Sequence, residues 1–143
     1  MDNIIEKRLG FLTDTIRYYS EDVNRRCTDG FENCYYDPAS VNKQDISEGC
    51  AIGRHLPQEL KEKIDNYYGS LGAIDEVYED YEETGIKPEE FPESLIELGL
   101  KFLTDMQCLH DYESHWQKGG LTEAGKEYVD KIKDKYKLNP EHD

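Results

Sequence analysis

The segment from Cys27 to His55 constrains the fold most, because it holds three of the four cysteines and few apolar residues. It lies between two stretches with helical periodicity and carries turn signals at Asp29-Gly30 and Asp37-Pro38. A segment this polar buries too little apolar surface to offset the entropy lost on ordering. We therefore expect it to be fixed by a metal ion that links it to a distant helix.

Cys27, Cys34 and Cys50 are candidate ligands of a structural zinc ion. Structural zinc takes four ligands in a tetrahedron, usually cysteine thiolates with histidine imidazoles. Disulfides are rare in a reducing cytosol, so clustered cysteines favour metal binding there. A long helix is predicted from Ser94 to Trp116. On it, His110 lies near the middle of the apolar arc, and Cys108 lies on the opposite side. We therefore predict Zn²⁺ bound by the three cysteines and His110.

The spacing of the cysteines does not by itself establish this ligand set, because the chain has no Cys-x2-Cys knuckle. Cys27 and Cys50 could instead be small core residues, and His110 a hydrogen-bonded core histidine. The candidates that could replace His110 as fourth ligand are His55, Cys108, Asp111 and His115.

An alternative function is a small zinc-dependent hydrolase acting on a nucleotide or a nucleic acid. Catalytic zinc usually keeps three protein ligands and one exchangeable position. Ligation by Cys34, Cys50 and His110 alone would leave that position open, with Asp111 or Glu113 as a base. The sequence contains no phosphate loop, nucleophile elbow, dinucleotide fingerprint or His-Glu-x-x-His motif. We therefore favour a non-enzymatic protein.

Hydrophobic periodicity predicts a mainly α fold with one small β-hairpin, in a single domain over residues 1–143. It divides into an N-terminal helix (1–26), the cysteine segment as a zinc loop (27–55) and a helical body (56–138). Helices are predicted over about 2–25, from Leu56 to Gly69, from Ile74 to a stop at Gly85, from Ser94 to Trp116, and onward from Thr122, with Ser94 and Glu97 at capping-box spacing. The hairpin is placed between 33–36 and 50–52, where Gly49 and Gly53 let the backbone turn tightly.

The chain is strongly acidic, with 17 Lys and Arg against 32 Asp and Glu and a net charge of -15. Such a charge repels phosphate backbones and attracts basic proteins, so we expect a protein partner and no direct nucleic-acid binding. The predicted partner-binding residues form the acidic face of the short third helix: Asp75, Glu76, Glu79, Asp80, Glu82 and Glu83. The simpler interpretation of that face is a solvated helix surface.

Three short elements resemble a family of small, largely uncharacterised phage and prophage proteins. They are Cys34-Tyr35, Cys50-Ala51-Ile52-Gly53 and Gln107-x2-His110-Asp111. The resemblance spans roughly residues 30–116 and implies that Cys34, Cys50 and His110 act together. The chain departs from the family pattern in the long insert between the two cysteines and in Met106, where leucine is common.

Acidic phage proteins of this size include anti-CRISPR proteins, and the chain resembles the zinc-containing type II class that inhibits Cas9. That resemblance implies a monomer that binds a basic lobe of the effector and prevents target DNA from loading. The sequence has no apolar run of about 20 residues and no secretory signal at its start. We therefore expect it in the cytoplasm of a bacterial host cell.

Overall fold

A computed structural model describes residues 3–29 and 33–139 of the chain. Within these ranges lie seven α-helices, five short 3-10 turns and one two-stranded antiparallel hairpin. The helices are α1 (Asn3–Glu21), α2 (Gln58–Tyr68), α3 (Ile74–Glu79), α4 (Tyr81–Thr84), α5 (Glu93–Ile96), α6 (Leu100–Asp111) and α7 (Glu123–Tyr136), and the strands are β1 (Trp116–Gln117) and β2 (Gly120–Leu121). The predicted fold class, mainly α with one small hairpin, is confirmed.

The apolar faces of the helices meet in one continuous core. The regular spacing of apolar residues in α1 predicts an inward face, and Leu12 and Tyr19 on it are fully buried. Helix α6 contributes four fully buried apolar side chains, Phe102, Leu103, Met106 and Leu109. None of the helices within the described ranges is both long and apolar enough to span a membrane.

Local signals predicted several helix ends correctly. Gly69 ends α2, and Gly85 ends α4 with a left-handed φ of 77° that glycine adopts without steric cost. Thr122 caps α7, where its hydroxyl accepts a hydrogen bond from the Gly125 amide at 3.1 Å. These ends depend on residues within one turn of the helix, so the sequence alone specifies them.

The long helix predicted from Ser94 to Trp116 is wrong in extent. The first short helix begins at Glu93 after Pro92, and Ser94 does not cap it. Gly99 then has a φ of 97°, a value that is incompatible with an α-helix. The helix is therefore interrupted there, and α6 runs from Leu100 to Asp111. The chain beyond Asp111 is therefore free to turn back and form the hairpin.

The predicted hairpin between 33–36 and 50–52 is also wrong. Among the described residues, Cys34 pairs with Thr28 in an isolated antiparallel bridge, and Cys50 lies in a bend before a 3-10 turn. The hairpin of the fold pairs β1 with β2, closed by Lys118 and Gly119. Gly119 has a φ of 93°, a value that suits glycine in a tight hairpin turn.

Hydrogen bonds from outside fasten the cysteine segment to the helices. The carboxylate of Asp65 on α2 accepts from the Tyr36 amide at 3.0 Å, the Asp37 amide at 2.9 Å and the Ser40 hydroxyl at 2.7 Å. The Tyr19 hydroxyl of α1 donates to the Gly49 carbonyl at 2.6 Å. These hydrogen bonds hold the segment against α1 and α2.

Candidate metal centre

The last turn of α6 presents His110 and Asp111 to the cysteine segment. The imidazole of His110 is fully buried and meets the Tyr19 ring edge-on, with centroids 4.9 Å apart. The helix-phase prediction that His110 points inward is confirmed. Cys108, predicted to point outward, is half-buried and contributes to a cavity described below.

Cys34, His110 and Asp111 form a possible metal-binding group. The Cys34 sulfur, a ring nitrogen of His110 and a carboxylate oxygen of Asp111 all lie within 4.8 Å of one another. Cys34 is held there by its bridge with Thr28, and its sulfur lies 3.8 Å from the Asp111 carbonyl oxygen. The structure therefore brings together two of the four predicted ligands and adds Asp111, one of the four candidate substitutes.

The thiols of Cys27 and Cys50 lie outside this group. Cys27 is fully buried and touches the site through its backbone, whose amide donates to Nε2 of His110 at 3.1 Å. The Cys50 sulfur accepts from the Gly53 amide at 3.2 Å. Both cysteines belong to the apolar core cluster, as the core interpretation of them predicted.

The remaining candidate ligands lie elsewhere. The imidazole of His115 packs on Tyr128 with ring centroids 4.8 Å apart, and its Nδ1 lies 3.0 Å from the Leu109 carbonyl. His55 packs on Phe11, with centroids 4.8 Å apart, and lines a separate groove between α1 and the start of α5.

A cavity of about 220 Å³ opens beside the group. Cys34 and Asp111 line it, together with the thiols of Cys50 and Cys108. Gln107 closes one side and is itself held in place, because its side chain accepts from the Ile74 amide at 2.7 Å and donates to the Tyr36 hydroxyl at 2.7 Å. Three of the four cysteines thus face one cavity, although only Cys34 belongs to the metal-binding group.

The hydrogen bonds of His110 define its proton positions. Nε2 accepts the Cys27 amide, so the ring proton is on Nδ1, which donates to Oδ1 of Asp111 at 2.6 Å. Burial lowers the pKa of His110, which keeps the imidazole neutral. Burial also raises the pKa of the Cys34 thiol, and the nearby Asp111 carboxylate raises it further. A neutral imidazole whose lone pair is engaged does not activate a thiol nucleophile.

Arg26 positions the end of α6 and was not predicted from the sequence. Its guanidinium donates to the carbonyls of His110 and Asp111, each at 2.8 Å, and so caps the C-terminal end of α6. Burial lowers the pKa of this arginine, which is 8% exposed. Arg26 and Cys27 together hold the start of the cysteine segment against the end of α6. No local signal in the sequence pairs residues this far apart.

The six acidic residues predicted on one helix lie on two, α3 and α4, with Asp80 at the break between them. Among them, Glu76, Glu79, Glu82 and Glu83 are exposed and Asp75 and Asp80 are partly buried. Within the described part of the chain, no Lys or Arg forms an ion pair with any of the six. Asp80 accepts from the Tyr68 hydroxyl at 3.1 Å.

The tyrosines divide between core and surface. Tyr112 is 54% exposed, whereas Tyr18 and Tyr36 are buried. Between residues 67 and 81, Tyr67, Leu71 and Tyr81 are large side chains that are exposed.

Comparison with known proteins gave no match among family models, curated proteins or solved structures.

We predict that the partly buried His55 causes a loss of stability at mildly acidic pH. Burial and the adjacent Arg54 lower its pKa from 6.5 to about 4. Above pH 6.5 the imidazole is neutral in both states. Between pH 6.5 and 4 only the unfolded chain binds the proton, so stability falls as the pH falls, by about 2–3 kcal/mol in total. Urea denaturation of the protein and of His55→Gln across this range measures the effect. We expect the substitution to flatten the slope, and parallel slopes would refute the assignment.

Proposed function

We propose that this chain is a non-enzymatic binding protein whose α3–α4 acidic face docks on a basic surface of a nucleic-acid-handling protein. The observation that carries the proposal is the set of six carboxylates for which the described residues provide no ion-pair partner. Carboxylates left unpaired on an exposed face repel one another, which disfavours the isolated protein. A basic partner relieves that repulsion and is steered toward the face.

The surroundings of the acidic face support a protein partner over a small cation. Tyr81 is 45% exposed within α4, and Tyr67 is 54% exposed in a groove that it shares with Thr84 and Gly85 at the end of that helix. Tyrosine rings with free area are favoured anchors in protein interfaces, where charged residues form the rim. The face therefore combines charge for steering with aromatic area for contact.

The hydrogen-bond pattern of the candidate metal centre favours binding over thiol catalysis. The lone pair of His110 is engaged by the Cys27 amide, and the pKa of the Cys34 thiol is raised. The imidazole is therefore not free to act as a base, and the protonated thiol is a weak nucleophile.

The resemblance to zinc-containing type II anti-CRISPR proteins identifies a Cas9-type effector as the first partner to test. Such effectors hold nucleic acid in a positively charged channel. An acidic protein bound at that channel would compete with target DNA. We therefore propose inhibition by blocking the loading of DNA.

Neutralising the acidic face is expected to weaken binding about 10- to 100-fold, because four steering charges are lost. The variant combines Glu76→Gln, Glu79→Gln, Glu82→Gln and Glu83→Gln. The measurement is competition with target DNA for a guide-loaded Cas9-type effector, read as the protein concentration that halves DNA binding.

The matched control removes the same number of charges from exposed positions of α7. It combines Glu123→Gln, Glu127→Gln, Asp130→Asn and Asp134→Asn. We expect this control to keep most of the competition. Equal losses in the two variants would show that only net charge matters, and the proposed surface would then be rejected.

A further inference from the structure

We propose that Cys34, His110 and Asp111 form a binding site for a divalent transition-metal ion, with zinc as the best fit and the fourth position facing the cavity. The inference concerns this group alone and does not depend on the proposed partner. It also replaces the ligand set predicted from the sequence, since it omits Cys27 and Cys50.

The chemistry of the three groups fits zinc. A thiolate, an imidazole nitrogen and a carboxylate oxygen are its common protein ligands, and a set of three is typical of sites that keep one exchangeable position. Ligand atoms around tetrahedral zinc are separated by roughly 3.4–3.8 Å, given bonds of about 2.0–2.3 Å. The observed ligand atoms lie within 4.8 Å of one another, while Nδ1 of His110 and Oδ1 of Asp111 are 2.6 Å apart, so the side chains must rearrange to reach these separations.

The backbone on both sides of the site is anchored. His110 and Asp111 occupy the last turn of α6, where Arg26 binds both of their carbonyl oxygens. Cys34 is held by its bridge with Thr28, and the neighbouring Tyr35 amide donates to the Cys27 carbonyl at 3.0 Å. The backbone at the site is therefore in place, and ion binding requires rearrangement of the three side chains and of the hydrogen bonds of His110.

The cavity gives the site an open side. Cys34 and Asp111 both line it, and so does Gln107, whose amide is fixed by the Ile74 backbone. Its volume of about 220 Å³ admits several water molecules. A water molecule or a small ligand can therefore occupy the fourth position.

Metal binding has a specific structural consequence at Cys27. The lone pair of Nε2 now accepts the Cys27 amide. Coordination through Nε2 would take up that lone pair, and coordination through Nδ1 would move the ring proton to Nε2, where two donors would face each other. Coordination therefore breaks this hydrogen bond and loosens the junction between residues 26–27 and α6.

The test is titration of the full chain with Co²⁺ and then with Zn²⁺. Binding is monitored through the visible absorption of tetrahedral cobalt and its thiolate charge-transfer band. We expect one ion per chain. Cys34→Ser and Asp111→Asn should each weaken metal binding by about 100-fold or more. Even the mutation of a residue that only hydrogen-bonds to a metal ligand lowers metal affinity by about 10- to 100-fold. Cys50→Ser and Cys108→Ser, which alter the same cavity, should bind as the unchanged protein does.

A second measurement separates ligation from folding. Amide hydrogen exchange at Cys27 should accelerate when zinc is added to the unchanged protein, and circular dichroism should stay constant in both ligand variants. Failure of the unchanged protein to bind either ion would overturn the proposal. Metal binding that persists in Cys34→Ser would also overturn it. Metal binding that is lost in Cys50→Ser would overturn it as well, and would support the four ligands predicted from the sequence.

Discussion

Gly53→Ala is expected to lower the free energy of unfolding by about 3–5 kcal/mol, at the upper end of single substitutions. A Cβ atom at this position would lie 2.4 Å from the Tyr36 carbonyl oxygen and 2.9 Å from the Tyr36 Cα. Those are backbone atoms, and they cannot move freely. The Tyr36 amide is bound to Asp65 and the Tyr36 hydroxyl to the Gly72 carbonyl. The substitution therefore forces the cysteine segment away from α2.

Gly10→Ala is the matched control for this prediction. Gly10 lies within α1, with no atom within 4 Å of the Cβ that would be added. Alanine at that position should stabilise the helix by about 0.5–1 kcal/mol. Urea denaturation measures both variants, and a cost below about 1 kcal/mol for Gly53→Ala would contradict the packing described here.

His110→Ala is expected to lower the free energy of unfolding by about 3–5 kcal/mol, which is typical when a large buried side chain is truncated. It leaves the Cys27 amide without its acceptor in the interior, and it removes the ring that packs against Tyr19. Both losses act on the junction that holds the cysteine segment.

Cys108→Ala, two residues earlier on the same helix, provides the comparison for His110→Ala. Cys108 is only half-buried, so its truncation should cost about 1 kcal/mol or less. Thermal or urea denaturation compares the two. If the variants lost similar stability, His110 would not be the structural link proposed.

The sequence predicted the parts of the fold that local chemistry determines. The apolar stripe of α1 and the ends at Gly69 and Thr122 depend on neighbours within one or two turns. The break at Gly99 was missed, because an isolated glycine can also continue a helix, and only the packing of α5 and α6 selects its positive φ. The hairpin was misplaced because short apolar runs around Cys34 and Cys50 have no turn that requires them to pair.

The candidate site was predictable only where helix phase could be used. Periodicity identified the inward direction of His110, and its neighbour Asp111 was considered as a ligand. The contribution of Cys27 through its amide, and of Arg26 through its guanidinium, depends on contacts across more than 80 residues. Tertiary packing determines such contacts, and composition or spacing does not indicate them.

The central claim is that an acidic surface binds a basic nucleic-acid-handling protein, and its most direct test is a salt series. The affinity of the unmodified chain for a guide-loaded Cas9-type effector is measured by calorimetry or interferometry from low to high ionic strength. We predict clear binding at low salt that weakens about tenfold or more as salt rises, because screening removes the steering charges. Absence of binding at low salt, or an affinity that does not change with salt, would contradict the account.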